Sequence, residues 1–500
     1  MGEPEPADPV IPNRTQGPLI RIAWRCRLAE GVSVRRAGGR AFVVSERPLA
    51  VLEVRPPAVR LLGRLAPGEE VTLDATAPSE LRFVRRLAAL GLLELRPAAS
   101  DWPPVTVIVP VRNRPRELAG CLGSLARVYY PASLEVVVVD DCSDPPAAVP
   151  EGVRLIRLRH PIGPAGARNA GAAQSHTELV AFLDSDCVAE PDWLESLVPE
   201  LADPAAAAAG GRVLPASERT WLERYEAVRS PLDLGPTPAA ARPQARVPYL
   251  VTANLVVRRS AFEAVGGFDP ALRCGEDVDL CWRLHSAGHR LAYQPASRVR
   301  HRHRGDPGAF VRTRAAYAAS ETSLLRRHPR NGRWLGFSPG MGVALLAAVS
   351  AVLGRPHLLL AGGLAMGVEV AATTRKLRSL GVPSRTSAPA LVRGQASGFY
   401  HTGRQVARYY GLPATLLALA LKGRRRRSAL LATVAAGLAP AIVDWWRLRP
   451  RLPLPAFLAA SLLDDAAYQA GLLMGCLRQR SLAALAVELR LMTGQADTEP

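Results

Sequence analysis

Short apolar runs alternate with amphipathic stretches through the middle of the chain. Runs of strand composition occupy residues 105–110, 134–139, 153–156 and 178–183. The stretch 115–125 between the first two runs repeats its apolar residues at helical spacing. Because the runs are apolar along most of their length, they are typical of strands in a parallel sheet covered on both faces. The alternation predicts a doubly wound α/β sheet, which we place within residues 98–334.

A smaller domain is predicted before this sheet, in residues 30–97. Strand-like segments lie at 32–34, 41–44, 49–54 and 92–95, and helical ones at 57–65 and 79–90. This order predicts a small α+β, winged-helix-like domain. The segment resembles the peptide-recognition domains of ribosomal-peptide maturation systems, and a purely structural role is the alternative. Residues 1–29, rich in Pro, Glu and Asp at their start, are predicted to form a disordered tail.

From residue 335 onward the chain changes character. Apolar runs interrupted by Gly, Pro or charged residues lie at 342–353, 358–370, 412–421 and 429–443. Each is shorter than the roughly 20 apolar residues that one membrane crossing needs. The basic segment 422–427 resembles clusters that lie at an anionic membrane face. We therefore expect residues 335–500 to be helical and to contact the inner face of the cell membrane, with a soluble helical bundle as the alternative.

The charge balance indicates an anionic partner. The 63 basic and 44 acidic residues give a net charge of +19, which suits nucleic acid, acidic lipids or a phosphorylated substrate. The helical segment 57–65 carries only Arg60 and Arg64, so we expect no nucleic acid. The 7 cysteines form no C-x-x-C pair, and the N-terminus lacks an apolar signal segment. Both features predict a cytoplasmic protein.

Two carboxylates separated by one residue follow the apolar run 178–183. Asp184 and Asp186 would lie at the carboxyl edge of the sheet, where open α/β folds bind ligands. Hard oxygen ligands of this kind suit Mg²⁺ or Mn²⁺ that is also bound to a phosphate. The alternative is that the acids merely precede a helix capped by Asp192.

A glycine-rich stretch, 163–171, begins another predicted helix. It lacks the G-x-G-x-x-G spacing of dinucleotide-binding folds. Arg168 and Asn169 instead suit a diphosphate, because free helix N–H groups and a guanidinium both favour anions. A helix start punctuated by glycine is the alternative.

Three acids, Glu276, Asp277 and Asp279, open a further predicted helix, and Trp282 follows one turn later. Acids at a helix N-terminus are also favoured by the helix dipole alone, which is the structural alternative. His301 and His303 come afterwards in a basic segment, and imidazole is a reasonable ligand for Mn²⁺. A solvated basic loop is the alternative there.

Taken in order, these motifs resemble those of family 2 glycosyltransferases with the GT-A fold. The similar segments are 107–113, 138–143, 166–169, 183–186 and 275–279. The resemblance implies a nucleotide-diphospho-sugar transferase domain built on a doubly wound mixed sheet. It further implies a UDP-sugar or similar donor and a divalent metal ion.

The resemblance also assigns roles to residues. It places Pro110, Arg112, Asn113, Asp140, Asp141 and Ser185 at the nucleotide-sugar, beside Arg168, Asn169 and Asp184. It makes Asp184, Asp186 and His301 the metal ligands, with His303 as the alternative third ligand. Asp277 becomes the general base, Glu276 its catalytic neighbour, and Asp279 and Trp282 acceptor-side residues. The sugar chemistry agrees, because transfer needs a cation at the diphosphate and a base at the acceptor hydroxyl.

Two further stretches narrow the resemblance to glycosyltransferases of mycofactocin systems. These stretches are 224–235 and 463–472. The implied reaction is inverting transfer of glucose from UDP-glucose to premycofactocin, a peptide-derived redox cofactor, to build a β-1,4-glucan chain. The chain lacks the Q-x-x-R-W sequence of processive synthases, with 330–334 the nearest approach.

Three other functions are alternatives. Transfer to a lipid or cell-envelope polysaccharide would suit the hydrophobic C-terminal region. A DNA-binding protein would need a basic recognition helix in the N-terminal domain. An inactive scaffold for peptide maturation would leave the acidic pairs without a purpose.

Overall fold

The computed structural model describes a small N-terminal domain, a central α/β domain and a helical C-terminal region. The described residues are 22–29, 32–37, 40–46, 49–54, 56–65, 71–73, 78–90, 92–100, 102–303, 305–379 and 382–492. The first 21 residues of the predicted tail lie outside them.

The N-terminal domain contains two small antiparallel sheets. Its elements are β1 (Ile22–Leu28), β2 (Val32–Ala37), β3 (Arg40–Glu46), β4 (Leu49–Val54), α1 (Pro56–Arg64), β5 (Val71–Leu73), α2 (Pro78–Ala89) and β6 (Leu93–Ser100). Strand β1 lies between β5 and β6, and β2, β3 and β4 form a meander.

Strand β1 corrects the predicted extent of the tail. The side chains of Trp24, Cys26 and Leu28 are buried, whereas Arg25 and Arg27 between them are exposed. This period of two is that of a strand with one face on the core. The prediction of a disordered tail to residue 29 is therefore wrong for Ile22–Leu28, whereas the elements predicted between 30 and 97 are present.

The central domain is built on one mixed sheet. Its elements are β7 (Val105–Val111), α3 (Pro115–Leu125), β8 (Leu134–Asp140), β9 (Arg154–Arg157), α4 (Gly163–Ala172), β10 (Leu179–Phe182), β11 (Cys187–Ala189), α5 (Trp193–Leu197), β12 (Ala206–Pro215), α6 (Trp221–Arg229), β13 (Ala239–Ala240), β14 (Leu255–Arg258), α7 (Arg259–Ala264), α8 (Glu276–Ser286), β15 (Arg290–His301) and α9 (Pro307–Arg327). Short 3-10 turns lie at Val198–Ala202 and Thr252–Asn254.

The strand order of this sheet confirms the predicted doubly wound architecture. The order is β11-β15-β12-β14-β10-β7-β8-β9, with β13 paired to β15. Strands β7 to β10 are parallel, whereas β14 pairs antiparallel with β10 and β12 with β14. The side chains of β7 and β10 are buried throughout, as their continuous apolar sequence predicts. The carboxyl ends of β7, β8 and β10 therefore lie at one edge.

The C-terminal region is mainly helical. Its elements are β16 (Arg333–Phe337), α10 (Pro339–Val352), α11 (Leu358–Ser379), α12 (Ser384–Gln405), α13 (Gly411–Ala420), α14 (Gly423–Leu448), α15 (Leu454–Gln479) and β17 (Val487–Leu491). A π-helical turn, Val406–Tyr410, follows α12. Within the described residues, α11 and α14 are long and apolar enough to cross a membrane, by length and composition alone. The prediction that every apolar run is too short is wrong for these two, because the helices extend through flanking residues.

Close helix contact joins the C-terminal region to the central domain. Gly471 and Gly475 of α15 lie against Ala315 and Ala319 of α9. A Cβ atom added at Gly471 would lie 2.1 Å from the carbonyl oxygen of Ala315. The approach therefore requires glycine, and it fixes α15 on the back of α9.

Candidate active site

A cavity of about 1050 Å³ opens at the carboxyl edge of β7, β8 and β10. The predicted site residues that line it are Pro110, Arg112, Asp141, Arg168, Asp184, Ser185, Asp186, Glu276, Asp277, Trp282, His301 and His303. In open α/β sheets this edge is the usual position of a ligand. The fold thus brings the two acidic motifs together in one cavity, as the sequence predicts.

Arg168 joins the two acidic motifs. Its guanidinium donates to Asp184 Oδ1 at 2.6 Å and to Glu276 Oε1 at 2.9 Å. Burial alone would raise the pKa of Asp184, but Arg168, with smaller contributions from His301 and Arg114, holds that pKa below its usual range. Removing one partner of such a buried pair costs about 3–5 kcal/mol. In this structure Arg168 therefore fixes the position of Asp184 relative to α8.

Asp186 and His301 are brought together by strand pairing. Strand β11 pairs antiparallel with β15, and Cys187 lies opposite His301 in the register. As a result, His301 Nε2 lies 3.5 Å from Asp186 Oδ1. The second oxygen of Asp186 accepts a hydrogen bond from Arg114, a residue that the sequence interpretation did not select.

These residues fit a divalent cation. Ligand atoms of Asp186, Cys187 and His301 all lie within 4.8 Å of one another. Burial raises the pKa of the Cys187 thiol well above its usual value, and Asp184 and Asp186 add to the rise, so the thiol stays protonated. A carboxylate and an imidazole remain, a donor set that suits Mn²⁺ or Mg²⁺. His301 Nδ1 is buried without a hydrogen-bond partner in the part of the chain that the structure describes.

Asp277 lies half-buried in the cavity wall at the start of α8. Gly275 precedes it with φ at +82°, a left-handed conformation that favours glycine, and turns the chain into the helix. Burial raises the pKa of Asp277 to about 7, and the neighbouring Glu276 adds to the rise. A carboxylate with this pKa can both accept a proton and release it near neutral pH.

Two predicted nucleotide ligands hold a loop instead of lining the cavity. Asp140 is fully buried and accepts hydrogen bonds from the amides of Ser143 and Ala147. Asn113 accepts one from the amide of Asp144. Neither lines the cavity, and their contact with the nucleotide-sugar stays a prediction. By contrast, Asp141 lines it and accepts hydrogen bonds from the first amides of α4.

Asn169 and Asp279 also face away from the cavity. The Asn169 amide binds the backbone of Phe268 through both its oxygen and its nitrogen. Asp279 is buried and binds Arg283 at 2.8 Å and His328 at 2.9 Å. Neither residue lines the cavity, so the roles of Asn169 at the diphosphate and of Asp279 at the acceptor stay predictions. Trp282, in contrast, lines the cavity and donates to the carbonyl of Pro248.

His303 belongs to a buried network behind His301. Its Nδ1 lies 3.8 Å from Glu226, and burial lowers its pKa to about 3, with His301 and Arg314 adding to the fall. Arg314 binds Glu226 at 2.8 Å and Asp464 at 3.1 Å. Since Asp186 lies beside His301, the geometry favours His301 over His303 as the third metal ligand.

This network also connects the two unusual stretches of the sequence. The hydroxyl of Tyr225, from 224–235, lies 3.1 Å from Asp464, from 463–472. The sequence singled out both stretches, but only the packing of α6 and α9 against α15 reveals that they meet.

Comparison with known proteins identifies relatives. The model of the family described as "Glycosyl transferase family 2" matches residues 106–266. The chain is 35% identical over 480 residues to the Pre-mycofactocin glycosyltransferase of Mycobacterium tuberculosis (strain ATCC 25618 / H37Rv), covering 91% of this chain and 96% of that one. It is 31% identical to the Succinoglycan biosynthesis protein ExoO of Rhizobium meliloti (strain 1021), covering 47% and 72%. The mannosyltransferase PcManGT from Pyrobaculum calidifontis, in complex with GDP-Man and Mn²⁺, is a solved structure with 20% identity and a TM-score of 0.36, covering 75% and 96%.

Proposed function

The chain belongs to glycosyl transferase family 2, among the pre-mycofactocin glycosyltransferases, and from that premise we propose that it transfers glucose from UDP-glucose to premycofactocin with inversion. The name of the Mycobacterium tuberculosis relative, which aligns over 96% of its own length, supports the acceptor. A cavity that holds Asp184, Asp186 and His301 together with Asp277 supports the reaction type. The observation that carries the proposal is the half-buried Asp277, whose pKa is about 7, in that same cavity.

The proposed reaction forms one bond and breaks one. The acceptor hydroxyl oxygen attacks the anomeric carbon from the side opposite the diphosphate, and its proton passes to Asp277. The bond between that carbon and the diphosphate oxygen breaks, and its electron pair leaves with UDP. Attack opposite the leaving group inverts the configuration at the anomeric carbon, which gives a β-linkage from an α-linked donor.

The donor would occupy the cavity end formed by the strand ends. Pro110, Arg112 and Asp141 line the cavity and would contact the nucleotide, and Ser185 would lie beside the diphosphate. Asp184, Asp186 and His301 would hold a divalent cation, which neutralises the charge that develops on the leaving diphosphate. Arg168 binds the carboxylates of Asp184 and Glu276 and so holds both in position beside Asp277.

We also propose that chain building proceeds by repeated release and rebinding. Addition of β-1,4-linked glucose requires each product to become the next acceptor. The sequence lacks the Q-x-x-R-W motif of processive synthases, so we expect the product to leave after each addition. The same open cavity would then admit an acceptor that already carries glucose.

The exposed helices support association with a membrane surface. Leu360 and Leu364 of α11 are 80% and 70% exposed, and Leu431 and Trp446 of α14 are each 70% exposed. Lys422 caps α14, and the arginines of 424–427 lie in its first turns. Exposed apolar side chains beside a cluster of arginines suit an anionic lipid surface, at the inner face of the membrane. The same surface favours transfer to a lipid or cell-envelope acceptor as the second candidate function.

Measuring release of the nucleoside diphosphate, UDP or GDP, tests the proposal. Purified protein with Mn²⁺ is incubated with UDP-glucose, UDP-galactose or GDP-mannose, and with premycofactocin or a polyprenyl phosphate as acceptor. We expect release only with UDP-glucose and premycofactocin, together with a product heavier by one or more hexoses. Release that depends on the polyprenyl phosphate would support the second candidate, and no release with any donor would contradict both.

A further inference from the structure

The cavity has a second end that the proposed donor site does not use. Helix α9, strand β16 and the segments 404–410 and 454–479 build it. We call it the aromatic wall and define it by Glu321, Arg333, Trp334, Arg408, Tyr409 and Tyr468, all of which line the cavity.

Glu321 organises the aromatic wall. Its carboxylate accepts hydrogen bonds from the hydroxyls of Tyr409, at 3.2 Å, and Tyr468, and from Arg333 at 2.6 Å. The two tyrosine rings meet edge to face at 5.5 Å. Burial raises the pKa of both phenols, and Glu321 raises them further, so both stay protonated and donate to the carboxylate. The rings are therefore held rigidly, which lowers the entropic cost of binding against them.

The charges of the aromatic wall are already paired. Arg333 lies 3.6 Å from the ring centre of Tyr409, and Arg408 lies 3.8 Å from that of Tyr468. Arg408 also binds Asp464 at 3.2 Å and Asp465 at 3.4 Å. A phosphate would have to break these pairs, so the wall suits an uncharged ligand.

Arg333 binds Glu321 through Nη1, but two of its other nitrogens make no hydrogen bond among the described residues. Nε and Nη2 of Arg333 are buried and have no hydrogen-bond acceptor within the described part of the chain. Leaving buried donors without an acceptor is unfavourable. A ligand oxygen bound at this wall would recover part of that cost.

The aromatic wall adjoins the candidate base along α9. Tyr317 lines the cavity four residues before Glu321, so the two lie on the same face of the helix, about 6 Å apart along its axis. Gly275, two residues before Asp277, packs against the same helix, because a Cβ atom added there would lie 3.2 Å from Ser320 Oγ, next to Glu321. A ligand on the wall can therefore present a hydroxyl to Asp277.

We propose that the aromatic wall is the acceptor subsite and that it binds an uncharged ring, aromatic or pyranose, by its flat face, with a ring oxygen or hydroxyl directed to Arg333. The C-terminal region would then determine acceptor specificity, whereas the strand ends bind the donor. This inference rests on the proposed function, which assigns the donor to the opposite end of the cavity.

Kinetics with substitutions in the wall test the inference. In Tyr409→Ala we expect the KM for premycofactocin to rise at least tenfold, while the KM for UDP-glucose and the Kd of UDP stay within twofold. Tyr409→Phe keeps the ring and should raise the acceptor KM less than threefold. The matched control is Tyr400→Ala, because Tyr400 also donates to an acid, Asp444, but lies outside the cavity. It should leave all these constants unchanged.

Two outcomes would overturn the inference. One is an acceptor KM of folded Tyr409→Ala within twofold of the unsubstituted enzyme. The other is a parallel rise of the donor and acceptor KM. Phenyl β-D-glucoside, detected by quenching of tryptophan fluorescence, separates failure of the proposed function from failure of the inference. If the probe binds the unsubstituted enzyme and not Tyr409→Ala, the subsite is supported even if premycofactocin proves not to be the acceptor. Binding that Tyr409→Ala leaves intact would contradict it.

Discussion

The pKa of Asp277 leads to a quantitative prediction about the pH dependence of transfer. A general base must be unprotonated, and burial beside Glu276 raises the pKa of Asp277 to about 7. With one group of that pKa, roughly 1 in 11 molecules has an ionised base at pH 6 and roughly 10 in 11 at pH 8. We therefore expect kcat/KM to rise about tenfold between these two pH values and to level off above them.

The Asp277→Asn variant tests whether this titration belongs to Asp277. An amide cannot accept the proton, and loss of such a base lowers rates by about 10²–10⁴. We expect that loss in kcat at pH 8, a flattened pH profile and an unchanged Kd for UDP, measured by calorimetry. Asp192→Asn makes the same change at an exposed helix start outside the cavity and should behave like the unsubstituted enzyme.

Two results would refute this reasoning. A kcat/KM that is flat from pH 6 to pH 8 would show that no group of that pKa limits transfer. A fall of less than tenfold in Asp277→Asn would show that another group accepts the proton.

Three further predictions concern the metal, the helix contact and the membrane. Asp186→Ala, or EDTA, should abolish UDP-glucose turnover measured as UDP release, and full activity in EDTA would contradict the metal role. Gly471→Ala should lower the free energy of unfolding by about 1–3 kcal/mol in thermal melts, because its Cβ would clash with α9. Gly437→Ala is the control, because a Cβ added there would have no atom within 4 Å. Glutamine at Arg424, Arg425, Arg426 and Arg427 should weaken sedimentation with phosphatidylglycerol vesicles by about 1 kcal/mol per residue, and equal sedimentation would contradict the basic contact.

The sequence predicts the central sheet well because its signal is local. Strands β7 and β8 are apolar along their length, and helix α3 begins and ends where the helical spacing of 115–125 places it. Strand β1 was missed because only pairing with β6 shows that its alternation is that of a strand. The same holds for α11 and α14, whose length depends on residues that are not themselves apolar.

Several predicted site residues are close neighbours in the sequence, yet only one of each pair lines the cavity. Strand β8 ends at Asp140, whose carboxylate binds the amides of the following loop, whereas Asp141 comes after the strand end and lines the cavity. On a helix, two residues advance by about 200°, so Asp279 lies on the far side of α8 from Asp277. Arg168 and Asn169 are adjacent on α4 and point about 100° apart, and only Arg168 lines the cavity.

The aromatic wall could not be predicted from local pattern. Glu321 and Tyr409 lie far apart in the sequence, and neither belongs to a periodic motif. They meet because Gly471 and Gly475 let α15 approach the backbone of α9, a property of packing and not of composition. The stretch 463–472 was noticed from the sequence, but its partners were not.

One face of helix α9 lines the cavity, and the other packs against α15. An enzyme cut after residue 334 would keep every acid proposed for catalysis and yet lose one side of its own cleft, with Tyr317 and Glu321 turned to water. A domain shortened to the α/β fold should therefore still hold a nucleotide while failing to recognise what it glycosylates. If the helices after residue 334 were exchanged between related enzymes, the acceptor should change while the donor-binding domain stays the same.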